Sequence, residues 1–250
     1  MLKQPSRVLI AGDWHGNGHW ATGVIAYAHT RRCDVIIHLG DFGFARDIPD
    51  TRAYLDEVQQ ALEDTDLRLL WVDGNHEDHD RLNALDIDPI SGLRFITSRI
   101  AHLPRGFRWS WHGQTWLALG GAHSIDRLQL KEGVSWWPTE RLSLTDVNQA
   151  IAGGPADIMV CHDCPDRVGL PRLRGQWPTK DLAMSNENRR LLGTVVDAVQ
   201  PKWLFHGHFH RRYDGDRVSG DGWRTSIVGL SQDATSAQDN TIVIELPLAL

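Results

Sequence analysis

Five times along this chain a short run rich in Val, Ile and Leu ends and is followed at once by a turn carrying Asp, Asn or His. Arg7–Ala11 runs into Gly12-Asp13-Trp14-His15-Gly16, residues 34–39 into Gly40-Asp41-Phe42-Gly43, and residues 68–72 into Asp73-Gly74-Asn75-His76-Glu77. Further on, residues 157–160 meet Cys161-His162-Asp163, and residues 202–205 meet His206-Gly207-His208-Phe209-His210. Nearly unbroken apolar runs of this length are what parallel strands buried on both faces require. Between the first three runs, residues 18–30 and 51–64 carry apolar positions at helical spacing, which makes the first part a right-handed βαβαβ unit. In an α/β sheet the carboxyl ends of the strands line one crevice. The five polar turns are therefore expected to converge.

After residue 92 the rhythm changes to short paired runs at 93–96, 107–111 and 115–119, the last two separated by His112-Gly113-Gln114, as antiparallel hairpins require. The spacing predicts helices over 144–152 and 186–199, and strands over 157–160, 202–205, 223–229 and 241–246. A single α/β domain over residues 1–250 is expected, since one core serves chains up to roughly 250–300 residues. Residues 165–185 form the longest irregular stretch and hold Arg167, Arg172, Arg174 and Lys180. Two readings stand: a basic flap that grips phosphate through bidentate Arg contacts, with Arg172 and Arg174 touching substrate, or a solvated loop.

The net charge of −6 excludes a general basic field for duplex or membrane-surface binding. Long nucleic acid is disfavoured on that ground, although a short end stays admissible. No apolar run approaches the roughly 20 residues of a membrane helix, and the start has no apolar segment of secretory type. A cytoplasmic location without membrane attachment is the expectation. Three cysteines, an odd number, read as reduced thiols. Cys161 and Cys164 form a C-x-x-C without a second pair to complete a zinc site and without a thioredoxin-like setting, so the pair reads as incidental.

The turns supply carboxylate oxygen and imidazole nitrogen and no required thiolate, a donor set suited to Mn2+, Fe2+ or Zn2+ rather than Ca2+ or a soft metal. Asp13-x-His15 and His208-x-His210 each place two donors on one tight turn. Two ions about 3.5–4 Å apart need a bridging group, which a carboxylate such as Asp41 can provide. The bland reading, polar residues capping strand ends, would suffice for one cluster. It does not account for five in series.

These residues resemble the calcineurin-like metallophosphoesterases, whose signature D-x-H, GD, GNH[ED], a lone His and GHxH occurs here in that order over about 200 residues: Asp13/His15, Gly40-Asp41, Gly74-Asn75-His76-Glu77, His162 and Gly207-His208-Phe209-His210. The resemblance implies a four-layer α/β sandwich, two facing mixed sheets flanked by helices with the site at their shared edge. It implies two divalent ions, Asp13, His15, Asp41 and His210 holding one and Asp41, Asn75, His162 and His208 the other, with His76 as the catalytic histidine. The implied reaction is hydrolysis of a phosphate ester by a hydroxide bridging the ions. The position three after Asp41 is Phe44, where purple acid phosphatases have a metal-binding Tyr and Ser/Thr protein phosphatases an Asp, so the chain looks more like the small bacterial or phage phosphoesterases. The expected substrate is a small phosphorylated molecule, with phosphodiesters or nucleotides slightly ahead of simple monoesters. The rivals are a nuclease working on nucleic acid ends and a metal-binding scaffold without catalysis.

Outside the motifs, His123 follows a strand and reads either as a contact to substrate or as a loop histidine bonded to backbone. His38 and His206 read as packing groups or as partners of the metal-binding residues, and Asp78 and His79 carry a weaker form of the same expectation. Trp14, Trp136 and Trp137 suit packing, base stacking or a dimer interface.

Overall fold

The computed structural model describes residues 4–170 and 177–248. The first half runs β1 (Arg7–Ala11), α1 (Gly18–Thr30), β2 (Val35–His38), α2 (Pro49–Asp64), β3 (Leu69–Trp71), α3 (His79–Asn83), β4 (Arg94–Phe95) and β5 (Ile100–His102). The second runs β6 (Arg108–Trp111), β7 (Gln114–Leu119), α4 (Leu144–Ala152), β8 (Ile158–Cys161), α5 (Thr179–Val199), β9 (Trp203–His206), β10 (Tyr213–Val218), β11 (Arg224–Gly229), α6 (Ala237–Asn240) and β12 (Thr241–Glu245).

Among these residues the strands form two six-stranded sheets, ordered β12-β1-β2-β3-β5-β4 and β10-β11-β9-β8-β7-β6. Each has four parallel strands in the middle and an antiparallel strand at each edge. Along β1, alternate side chains enter different cores: Val8 and Ile10 pack between the sheets, Leu9 and Ala11 against helices. That alternation explains why the strand carries no polar face. A row Ile10, Ile37, Leu70 and Ala101 crosses the first sheet in register and meets Ala118, Val160, Phe205 and Val228 of the second. On the outer faces, α1 and α2 cover the first sheet, while α4 and α5 cover the second. The layers are thus α/β/β/α, as the sequence resemblance implied.

Local signals set the helix ends. Asn17 caps α1 by accepting from Trp20 N–H, and Ala21, Val24, Ile25 and Ala28 form its buried stripe. Ser143 and Asp146 form a capping box on α4. The expected helix at 186–199 is longer, beginning at Thr179. Its first turn is polar because Asp181 is buried there against other side chains, which hides the apolar spacing. The segment 165–185 is therefore partly helix. No helix among the described residues is long and apolar enough to cross a membrane.

Candidate metal centre

β1, β2 and β3 of one sheet and β8 and β9 of the other end at the same edge, so the five polar turns meet where the sheets join. Asp13, His15, Asp41 and His210 bring one donor atom each to within 4.8 Å of one another, and so do Asp41, His162 and His208. Asp41 belongs to both groups. Its Oδ2 lies 3.6 Å from His15 Nε2 and 3.4 Å from His162 Nε2 and is buried without a hydrogen-bond donor. Asn75 joins the second group, with Oδ1 3.1 Å from His162 Nε2. Asp13 Oδ2 lies 3.1 Å from His210 Nε2 and also accepts the His208 backbone N–H. A buried carboxylate oxygen without a donor is costly unless a cation meets it. Two overlapping sets of oxygen and imidazole donors around such an oxygen fit a pair of divalent ions.

The backbone is bent to make this approach. His15, Asp41, His208 and His210 all have left-handed φ, between 49° and 67°, a region that costs non-glycine residues energy and collects at functional sites. Two glycines are needed for space: a Cβ on Gly207 would come within 2.1 Å of Asp13 Oδ1, and one on Gly74 within 2.1 Å of Asp41 Oδ1.

The electrostatics show where positive charge is wanted. Burial pulls the His15 and His162 imidazoles down, but the charges of Asp41 and Asp13 outweigh it and raise both to about 10. Asp41 itself is pushed up by burial, yet the surrounding histidines, His162 above all, bring it well below the usual carboxylate range. His208 is driven well down by burial and by His162, which favours the neutral imidazole.

Groups that the sequence reasoning missed orient these donors. Asp233 accepts from His15 Nδ1 at 3.0 Å and from Asn17 Nδ2 at 2.8 Å, which turns His15 Nε2 toward Asp41. The Leu39 carbonyl does the same for His162, accepting from Nδ1 at 2.7 Å. Glu77, fully buried, accepts from the backbone of Gly74, Asp41 and Gly43 and so ties two of the turns together. Burial, then the charge of Asp41, raises its carboxyl to about 8. Only Glu77 had a sequence signal, as the last letter of its motif.

His76 projects from the third turn, exposed, with its backbone N–H donating to Asp41 Oδ1 at 2.9 Å and its ring 6.1 Å from that of His15. A cavity of about 410 Å3 opens beside the two rings, lined also by Asp41, Asp50, Thr51 and Tyr54.

Several expectations need correction. His123 is fully buried, its ring between Glu140 and Asp181, so it offers nothing to a substrate in the cavity. Nor is it held by backbone. Arg172 and Arg174 lie outside the described residues. Arg167 pairs with Asp197 of α5, and Lys180 is exposed on that helix. Asp78 caps α3 and its backbone N–H donates to the Phe44 carbonyl, while His79 hydrogen-bonds the Gly74 backbone and faces Asp73, so both brace the turns and neither belongs to the donor groups. The packing reading of His38 and His206 agrees with the structure, where His38 packs between Trp14 and Phe42 and His206 bonds Tyr213. The three cysteines are free and buried.

No curated protein matches the chain. Among solved structures it resembles TT1561 of Thermus thermophilus, at 11% identity with a TM-score of 0.55 over 96% of this chain and 99% of that one. It also resembles a dimetal phosphatase from Danio rerio, at 12% identity with a TM-score of 0.59 over 98% and 93%. At such identities the likeness is one of fold. The calcineurin-like phosphoesterase family model, however, matches residues 6–212, most of the chain and all five polar turns, and by that match the chain belongs to the calcineurin-like phosphoesterases, hydrolases of phosphoester bonds.

Proposed function

We propose that the protein binds two divalent ions, one on Asp13, His15, Asp41 and His210 and one on Asp41, Asn75, His162 and His208, and hydrolyses a small phosphodiester or nucleotide. The observation that carries this reading is Asp41, which belongs to both donor groups and whose buried Oδ2, without a hydrogen-bond donor, lies between His15 Nε2 at 3.6 Å and His162 Nε2 at 3.4 Å. Bound ions of this kind act as Lewis acids on the phosphoryl oxygens and lower the pKa of water toward neutrality.

The chain's own part is placement and proton transfer. His76, exposed at the cavity beside His15, is placed to give a proton to the leaving oxygen, work suited to an imidazole near pH 7. Its backbone tether to Asp41 fixes its distance from the centre. The cavity of about 410 Å3 suits a ligand of nucleotide size, and its described lining contains no Lys or Arg. A polynucleotide needs a basic track for its backbone. That absence among the described residues favours a small substrate over a polymer.

The test is an assay of metal-stripped protein reloaded with Mn2+, Fe2+ or Zn2+ on p-nitrophenyl phosphate, its bis ester, nucleotides and an oligonucleotide. Metal-dependent turnover of the bis ester or a nucleotide, abolished in Asp41→Asn and cut roughly 10²- to 10⁴-fold in His76→Ala, is expected. Uptake of metal with no turnover on any member would favour the scaffold reading, and cleavage of the oligonucleotide alone the nuclease.

A further inference from the structure

Asn75 presents a problem that shape alone does not solve. The oxygen and nitrogen ends of its amide are almost the same size, yet only the oxygen can bind a cation. Something other than packing must decide which end faces the centre.

Glu140, fully buried in the turn at Pro138–Glu140, accepts the Ser124 N–H on Oε1 at 2.8 Å and the Ser124 O–H on Oε2 at 2.7 Å. A hydroxyl has one proton. With that proton committed to Glu140, Ser124 Oγ has only lone pairs left for Asn75, and it accepts from Asn75 Nδ2 at 3.1 Å. The amide oxygen is thereby turned the other way, to within 3.1 Å of His162 Nε2, among the second group of donors. The His123 ring packs beside Glu140, its Nδ1 3.3 Å from Oε1, and its Nε2 donates to Asp181 at 3.1 Å. Arg127 donates to the same Asp181 oxygen at 2.8 Å. None of these groups has another use in the proposed chemistry.

We infer that Glu140 is a positioning residue: through the Ser124 hydroxyl it sets the direction of the Asn75 amide and so completes the binding site of the second ion. The inference rests on the assignment of Asn75 to that ion, made above.

Direction can be reversed chemically. In Glu140→Gln the oxygen end keeps the Ser124 N–H, so the NH2 end donates to Ser124 Oγ. The hydroxyl proton then loses its carboxylate acceptor, and the Asn75 oxygen can meet it only by turning away from the ion. Adding Asn75→Asp restores a consistent chain, because a carboxylate accepts that proton on one oxygen and offers the ion the other. Ser124→Ala removes the link without changing charge.

Mn2+ titration of the metal-stripped full chain by calorimetry reads each ion separately. We expect two uptake steps in the wild type. One should be weakened roughly 10- to 100-fold in Glu140→Gln and in Ser124→Ala, with the other within about twofold. The double variant Asn75→Asp/Glu140→Gln should bind better than the sum of its single changes allows, since groups in one network are not additive. Additive effects in the double variant, or an unaltered second step in Ser124→Ala, would overturn the relay; should Glu140→Gln fail to fold, Ser124→Ala decides alone. Wild-type protein taking up fewer than two ions would instead refute the dinuclear reading and remove the relay's purpose with it.

Discussion

Metal uptake by this protein should release protons, and the number follows from the site. With no ion bound, His15 and His162 hold their protons up to about 10, because the pull of Asp41 and Asp13 exceeds the opposing effect of burial. At pH 8 each is about 99% protonated, being about two units below its midpoint. An imidazole nitrogen must be neutral to coordinate, so filling both sites at pH 8 displaces about two protons. Glu77, near 8 because of burial and the charge of Asp41, adds up to about half a proton once that charge is neutralised. The sign is fixed: raised values mean that protons compete with metal, so affinity rises with pH. Each displaced proton contributes about tenfold per pH unit, so the two histidines alone make the joint affinity for two ions rise about 100-fold per unit from pH 7 to 9 and level off above about 10. Calorimetry at pH 8 in two buffers of different ionisation enthalpy counts the protons directly. Release of fewer than one, or affinity that does not change with pH, would refute the account of how these carboxylates charge the histidines.

The remaining expectations concern the supports of the centre. Asp73, 2% exposed, takes two hydrogen bonds from Arg105, so Arg105→Ala should leave a buried carboxylate without its cation, with the His102 contact at 3.2 Å remaining, and cost about 3–5 kcal/mol in urea unfolding at pH 7, or roughly 6–20 °C in Tm. Burial raises the Asp73 carboxyl, but Arg105 and the neighbouring histidines bring it well below its ordinary value, so this contribution is present above about pH 4 and fades as pH falls further; a deficit of equal size at pH 3 would contradict it. Gly207→Ala drives a Cβ into Asp13 and should abolish uptake of the ion held with His210 while far-ultraviolet circular dichroism stays unchanged, whereas intact two-ion binding would show that the turn can relax. Asp233→Ala frees the His15 ring and should weaken the same ion roughly 10- to 100-fold, which equilibrium dialysis against Zn2+ would measure.

Much of the fold was legible because its signals are local. Helix α1 and helix α4 match the expected spans end to end, since an apolar stripe and a side-chain cap lie within each segment. Strands with both faces buried announce themselves as unbroken apolar runs, and the hairpin expected around residues 107–119 is found as β6–β7, while the run at 93–96 pairs antiparallel with β5. Strands β5 and β10 were not expected. β5 has only three residues, one of them His102, and β10 is an edge strand with charged side chains, neither of which leaves a periodic mark. The start of α5 was hidden for a related reason, its buried Asp181 reading as surface until its partners are known.

The sequence by itself determined the reactive inventory: which carboxylates, imidazoles and amide follow which strands, in an order that resembles one family. Residue type carries that chemistry, and a strand end fixes its location within a residue or two. Tertiary structure alone decided which groups aim those donors. Asp233 meets His15 across 218 positions, and Ser124 meets Asn75 across 49, so neither pair leaves a pattern in its own segment. It also decided that His123 faces inward, since a histidine after a strand reads the same whether it lines a cavity or sits between two buried carboxylates. Local sequence encodes dihedral preference and burial period; which distant side chain completes a hydrogen bond is fixed only when the two sheets close on each other.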